Sequence, residues 1–157
     1  MMRYFCKCDS PLGPLYLGDE SGFLSLLVFS EDDPRLKVYV RGMSPILAET
    51  KKELSEYFTG ERTLFQIPLR ASGTKFQQKV WQELQAVPYG ETRTYKDIAE
   101  RVGSPRGSRA VGLANNKNPI SIIIPCHRVV GQNGKLTGYA GGLDAKGFLL
   151  ELEHRHA

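Results

Sequence analysis

Cys126, His127 and Arg128 stand side by side in the stretch Ile122-Ile123-Ile124-Pro125-Cys126-His127-Arg128-Val129-Val130, between two apolar β-branched runs that belong in an interior. The nucleophilic form of cysteine is the thiolate, and a neighbouring imidazole or guanidinium lowers the cost of making it. Both kinds of activator adjoin Cys126. A cysteine that only fills a core has no use for two polar neighbours, so the segment reads as a nucleophile held in a packed loop. The other two histidines, His154 and His156, lie in the polar tail 151–157, where solvent is the default partner. Cys6 and Cys8 form a C-x-C pair whose side chains share one face of a strand, but the nearby sequence offers no further zinc ligands. No metal site is expected. Nor does any GxGxxG, P-loop or paired ligand motif appear, so no cofactor is expected either.

The chain that must position these groups has 157 residues, 41% apolar and 24% charged, which fits a globular protein with a real core. A net charge of +4 permits a polyanionic partner such as nucleic acid without requiring one. The cysteine number is odd, three, and no apolar run reaches membrane-spanning length or resembles a cleaved leader. A reducing, cytoplasmic setting with no membrane partner follows as the expectation.

Two units are expected, 1–70 and 71–157. In the first, runs 3–8, 15–17 and 23–29, separated by Pro11, Gly13, Pro14 and Ser21-Gly22, read as an antiparallel β meander. Near-helical spacing of Ile46, Leu47, Leu54, Tyr57 and Phe58 predicts one helix over 45–58, stopped by Gly60; residues 62–73 read as a connection. The second unit reads as mainly helical. Thr74 can cap a helix presenting Phe76, Val80, Trp81 and Leu84, and Thr94 another presenting Tyr95, Ile98, Ala99 and Val102. A third, 107–116, carries Ala110, Val111, Leu113 and Ala114 on its apolar side, and Asp144 is expected to cap a last one running to about His154 with Phe148, Leu149 and Leu152 inward. Helix, short Gly- and Pro-containing turn, helix is a helix-turn-helix pattern, and plain helical hairpins share it. Asn118 either caps the end of the third helix or ties it to the thiol loop, and the Gly-rich run around Tyr139 suits either close approach to a flat ligand or a surface loop.

Taken together, Tyr95, Arg109-Ala110-Val111-Gly112, Asn118-Pro119, Ile124 to Val129, Tyr139 with Gly141-Gly142, and Glu153 closely resemble the O6-alkylguanine-DNA alkyltransferases over residues 74–153. The resemblance implies an α+β protein, its first unit a ribonuclease-H-like β meander with helix and its second a mainly helical domain containing a helix-turn-helix. It implies DNA repair in which Cys126 takes the alkyl group from guanine O6 irreversibly, once per molecule. His127 would take the thiol proton through a water, Glu153 would orient that imidazole, and Tyr95 would give a proton to the departing base. Arg109 would fill the stack vacated by the flipped nucleotide, with Ala110, Gly112 and Ala114 letting the helix into a minor groove. Thr94, Arg106 and Lys117 complete the implied DNA contacts. Asn118, Arg128, Val129, Tyr139, Ala140 and Gly141 would form the substrate pocket. Ala140 stands where a serine can occur in that family, and Ser121 where a proline can. The implied partner is double-stranded DNA carrying O6-alkylguanine, bound by a monomer. The rivals are a lesion binder, which carries tryptophan in place of Cys126, a helix-turn-helix regulator with a structural thiol, and a cysteine hydrolase using Cys126 and His127.

Overall fold

The computed structural model describes residues 2–157 and divides into two compact units, Met1–Ala71 and Ser72–Ala157. In the first, β1 (Tyr4–Cys8), β2 (Leu15–Glu20) and β3 (Phe23–Val28) form the antiparallel meander. A two-residue strand, β4 (Val40–Arg41), pairs parallel to β1, giving the order β3-β2-β1-β4. Two exposed residues have no periodicity to read, so β4 is absent from the sequence expectation. The connecting stretch is more than a tether: Leu24 N donates to Pro68 O and Arg70 N to Leu24 O, extending the sheet at β3. Helix α1 (Pro45–Phe58) starts with Ser44 Oγ accepting the Leu47 amide and with Pro45 in the first turn, and buries Leu47, Leu54 and Tyr57. Cys6 and Cys8 are both buried on the core face of β1, as side-chain alternation along a strand demands.

The second unit holds α2 (Lys75–Gln85), β5 (Arg93–Thr94), α3 (Tyr95–Arg101), α4 (Ser108–Asn116), β6 (Val129–Val130) and α5 (Leu143–His156). Thr74 and Thr94 both form capping boxes, with Gln77 and Asp97 respectively. Helices α3 and α4, joined through Gly103 and Pro105, make the helix-turn-helix, and α2 packs on both. Trp81 Nε1 donates to Ala114 O at 2.8 Å, which fixes the end of α4 against α2.

The expected faces of two helices and one expected cap are corrected. Ala110 and Leu113, the latter 63% exposed, face outward, whereas Val111, Ala114 and Asn115 make the buried stripe of α4. Phe148 is exposed while Leu149 and Leu152 are buried. Helix α5 begins at Leu143 after Gly142, whose φ of +93° favours glycine, so Asp144 sits inside the first turn and caps nothing.

Candidate active site

All of 120–130 is buried; the apolar run before Cys126 is built of turns, while the run after it, Val129–Val130, is the short strand β6. Ile123 N donates to Ser121 O around Ile122, whose φ is +72°, the rarer and strained hand of a three-residue turn. A β-branched residue there stores on the order of 1–3 kcal/mol, held by the packing around it. Cys126 N donates to Ile124 O around Pro125, and Cys126–Arg128 then form one 3₁₀ turn leading into β6. Asn118 Nδ2 donates to Ile124 O at 2.8 Å while its Oδ1 accepts the Ile120 amide at 3.0 Å, clamping both ends of this knot. Asn115 Nδ2 donates to Cys126 O at 3.3 Å. The parallel pairing of β5 with β6 then ties the start of α3, and so Tyr95, to the end of the cysteine turn.

His127 is fully buried, and its Nε2 lies 2.7 Å from Glu153 Oε2. Burial depresses its affinity for a proton more than the Glu153 carboxylate restores it, so the ring is neutral near pH 7. A neutral ring facing a carboxylate must carry its one proton on Nε2. The lone pair is then on Nδ1, which is buried and has no hydrogen-bond partner among the described residues. Arg128 grips the same carboxylate with Nε to Oε1 at 2.8 Å and Nη2 to Oε2 at 3.0 Å, and sends Nη1 to Val87 O at 2.8 Å. Burial opposes ionisation of Glu153, yet hydrogen bonds and charge from His127 and Arg128 hold its carboxyl down at about 2.

Two sequence expectations change here. Arg128, expected beside the thiol as an activator, commits its guanidinium to Glu153 and Val87 O instead. Nor do the neighbours of Cys126 lower its pKa overall. Burial pushes the thiol up, and hydrogen bonds from Asn118 and Ser121 with the charge of Lys146 only partly counter it. The resting sulfur is therefore protonated, and the chemistry needs a base.

Lys146 is the residue that sequence reading missed. Lys146 is fully buried, its Nζ donating to Val129 O at 2.6 Å and Thr137 O at 2.7 Å, and burial depresses its pKa. The available signal was its place on the inward stripe of α5, three residues before Leu149 and seven before Glu153. Val129 is thus buried with its carbonyl engaged. Tyr139 sets its ring edge-on to His127, with centroids 6.4 Å apart, and burial raises its hydroxyl pKa well above the ordinary range. Ala140 is exposed and Gly141 half-buried in the loop before α5.

A groove of about 920 Å³ runs beside α4, lined by Tyr95, Arg106, Arg109, Gly112, Leu113 and Gly138 among others. Arg106, Arg109, Ala110 and Lys117 are exposed. A Cβ on Gly112 would lie 3.9 Å from the Tyr95 ring, an ordinary van der Waals contact, so the helix face and the tyrosine are neighbours across this groove. Thr94 accepts the Asp97 amide and caps α3. Cys126 is 3% exposed and is not among the residues that line this groove.

A buried thiol next to a neutral histidine, in a unit whose α3–α4 helix pair exposes arginines, is an arrangement that suits a DNA-directed cysteine transferase. Residues 75–155 match the model of the 6-O-methylguanine DNA methyltransferase DNA-binding domain, and residues 3–71 that of its ribonuclease-like domain. The chain is 51% identical over 154 residues to the methylated-DNA–protein-cysteine methyltransferase of Methanosarcina acetivorans, covering 96% of this chain and 97% of that one. It is 47% identical over 158 residues to the constitutive methyltransferase of Bacillus subtilis, covering 97% and 96%. The crystal structure of Mycobacterium tuberculosis O6-methylguanine methyltransferase superposes with a TM-score of 0.92 at 46% identity, covering 99% and 95%. The structure of Mycobacterium tuberculosis OGT in complex with DNA gives 0.90 at 45% identity, covering 98% and 94%. The chain belongs to the family of methylated-DNA–protein-cysteine methyltransferases, which repair DNA by moving an alkyl group from it to a protein cysteine. Among the described residues no helix is long and apolar enough to cross a membrane.

Proposed function

We propose that Cys126 is the alkyl acceptor and that the substrate is O6-alkylguanine in double-stranded DNA. The observation that carries this reading is the fixed tautomer of His127: Glu153 occupies Nε2, which leaves the Nδ1 lone pair to draw the thiol proton through a bridging water. The thiolate attacks the alkyl carbon, the carbon–O6 bond breaks, and the electron pair stays on the base. Tyr95 donates a proton to the departing guanine at N3, so that neutral guanine is left in the DNA. No step regenerates the thiol, because a thioether is a very poor leaving group in water.

Within duplex DNA the target oxygen is stacked and paired, so the nucleotide must rotate out before reaction. Arg109 on the exposed stripe of α4 fills the gap, and the small residues Ala110 and Gly112 let the helix approach a minor groove about 6 Å wide. Ala114 takes no part, since it packs inward. Arg106 and Lys117 supply phosphate contacts, with the backbone at the Thr94 cap beside them. Asn118 holds the cysteine turn, and Val129, Tyr139, Ala140 and Gly141 border the base. Every group named comes from one chain, which suits a monomer, and the three cysteines, all unbridged among the described residues, suit a reducing cytoplasm.

The experiment mixes the protein with a duplex bearing radiolabelled O6-methylguanine. One methyl per molecule should appear on the Cys126 peptide and none in Cys126→Ser, which should still bind DNA. Repair of several lesions per molecule would instead establish a hydrolase.

A further inference from the structure

Tyr95 is held from a second direction that the transfer chemistry has not used. Thr137 Oγ1 donates to the Tyr95 hydroxyl oxygen at 3.0 Å, and the backbone carbonyl of the same threonine accepts from the buried Lys146 ammonium at 2.7 Å. That ammonium also donates to Val129 O, three residues beyond Cys126, and lies 6.0 Å from the Tyr95 ring centroid. Helix α5, the glycine-rich loop, β6 and the start of α3 are thereby joined through three side chains.

We propose that Thr137 is a positioning residue for proton donation by Tyr95. A phenol oxygen that accepts a hydrogen bond from Thr137 cannot turn its own proton toward Thr137. The proton must point elsewhere, and both residues line the groove beside α4. The threonine therefore orients the O–H bond toward an incoming base before the base arrives. The same bond also polarises it, because an oxygen that accepts one hydrogen bond becomes a better donor of the next. Lys146 supplies the fixed end: by holding the Thr137 carbonyl it keeps the loop, and hence the threonine hydroxyl, at the distance the phenol needs. Donor geometry set in advance costs no reorganisation in the transition state. Neither the hydroxyl of Thr137 nor the ammonium of Lys146 touches the reacting atoms in this arrangement.

This inference rests on the reading of Tyr95 as proton donor, and the test separates the two. Single-turnover transfer from a duplex carrying O6-methylguanine is measured for Thr137→Val, Thr137→Ser, Tyr95→Phe and the double variant Tyr95→Phe/Thr137→Val, with the dissociation constant for the same duplex measured on each. Valine keeps the branched shape and removes the hydroxyl, so transfer should slow by about three- to tenfold, the size of one lost hydrogen bond, while the dissociation constant stays within about twofold. Serine should restore the rate. The double variant should be no slower than Tyr95→Phe alone, since without a phenol proton there is nothing to orient. A Thr137→Val protein that transfers at the parent rate while Tyr95→Phe is slow overturns the role of Thr137 alone. An equal slowing by Thr137→Val with and without the tyrosine hydroxyl also overturns it, because the threonine then acts through something else. Tyr95→Phe at the parent rate overturns the proton-donor reading itself.

Discussion

Glu153→Gln changes one atom and should disable the site twice over. The carboxylate accepts three bonds on two oxygens: His127 Nε2 and Arg128 Nη2 on Oε2, and Arg128 Nε on Oε1. A glutamine offers one accepting oxygen and one donating nitrogen. With its oxygen at the Oε2 position, the new NH₂ faces Arg128 Nε, donor against donor at 2.8 Å. With its oxygen at the Oε1 position, the NH₂ faces both His127 and Arg128. The histidine can accept it only by moving its proton to Nδ1, which removes the lone pair that takes the thiol proton. Either way Arg128 stays largely buried as a cation without its anion. Breaking a buried pair by neutralising one partner costs about 3–5 kcal/mol, and for a protein of this size that lowers Tm by roughly 10 °C. A histidine held in the wrong tautomer loses about 10²–10⁴-fold in rate. Urea unfolding and single-turnover methyl transfer, both at pH 8, measure the two effects. A variant within about 1 kcal/mol of the parent in stability and within threefold in rate would refute the assignment of proton, charge and base to this cluster.

The same cluster sets the acid behaviour. His127 must be neutral to act as base and burial depresses its pKa, so the acid limb of the transfer rate should fall below the ordinary histidine value of 6.5; a midpoint above 6.5 in a pH–rate profile would contradict this. Stability follows with the same sign. A histidine whose folded pKa is depressed favours the native state fully above 6.5 and progressively less as pH drops below it, because the unfolded chain takes up the proton more readily. Glu153 then adds a loss as pH falls from its ordinary 4.5 toward about 2, worth about 3 kcal/mol. Urea midpoints at stepped pH should trace both declines, and a flat profile between pH 7 and 3 would be incompatible with them. Lys146→Met should leave the carbonyls of Val129 and Thr137 without their donor, at about 1–3 kcal/mol each, partly offset because no ammonium is then buried. A net loss of about 2 kcal/mol in denaturant unfolding is expected, and an unchanged or raised stability would show that the buried charge outweighs its two bonds.

The elements of both units were legible where one local rule decides them. Short apolar or alternating runs with intervening turns marked β1 to β3, and Thr74 and Thr94 marked helix starts because a hydroxyl one residue ahead of an amphipathic stretch satisfies an otherwise orphaned amide. Which face a residue takes was less secure: Leu113 and Phe148 look like core residues and are exposed, because neighbouring helices cover only the stripes through Val111 and Leu149. β4 is two residues long and exists only because β1 has a free edge to pair with.

The chain order Cys126-His127-Arg128 by itself determined that a thiol, a base and a cation occur together, and the pattern extending to Glu153 determined the family. What those groups do to one another came only from the folded arrangement. Sequence neighbours suggested that Arg128 activates the sulfur, but a 3₁₀ turn sends consecutive side chains in different directions, and Arg128 points to a carboxylate 25 residues away. The tautomer of His127, the raised thiol pKa and the bonds of Lys146 are properties of burial and of contacts distant in the chain, because desolvation and hydrogen-bond geometry have no value until the surrounding atoms are in place.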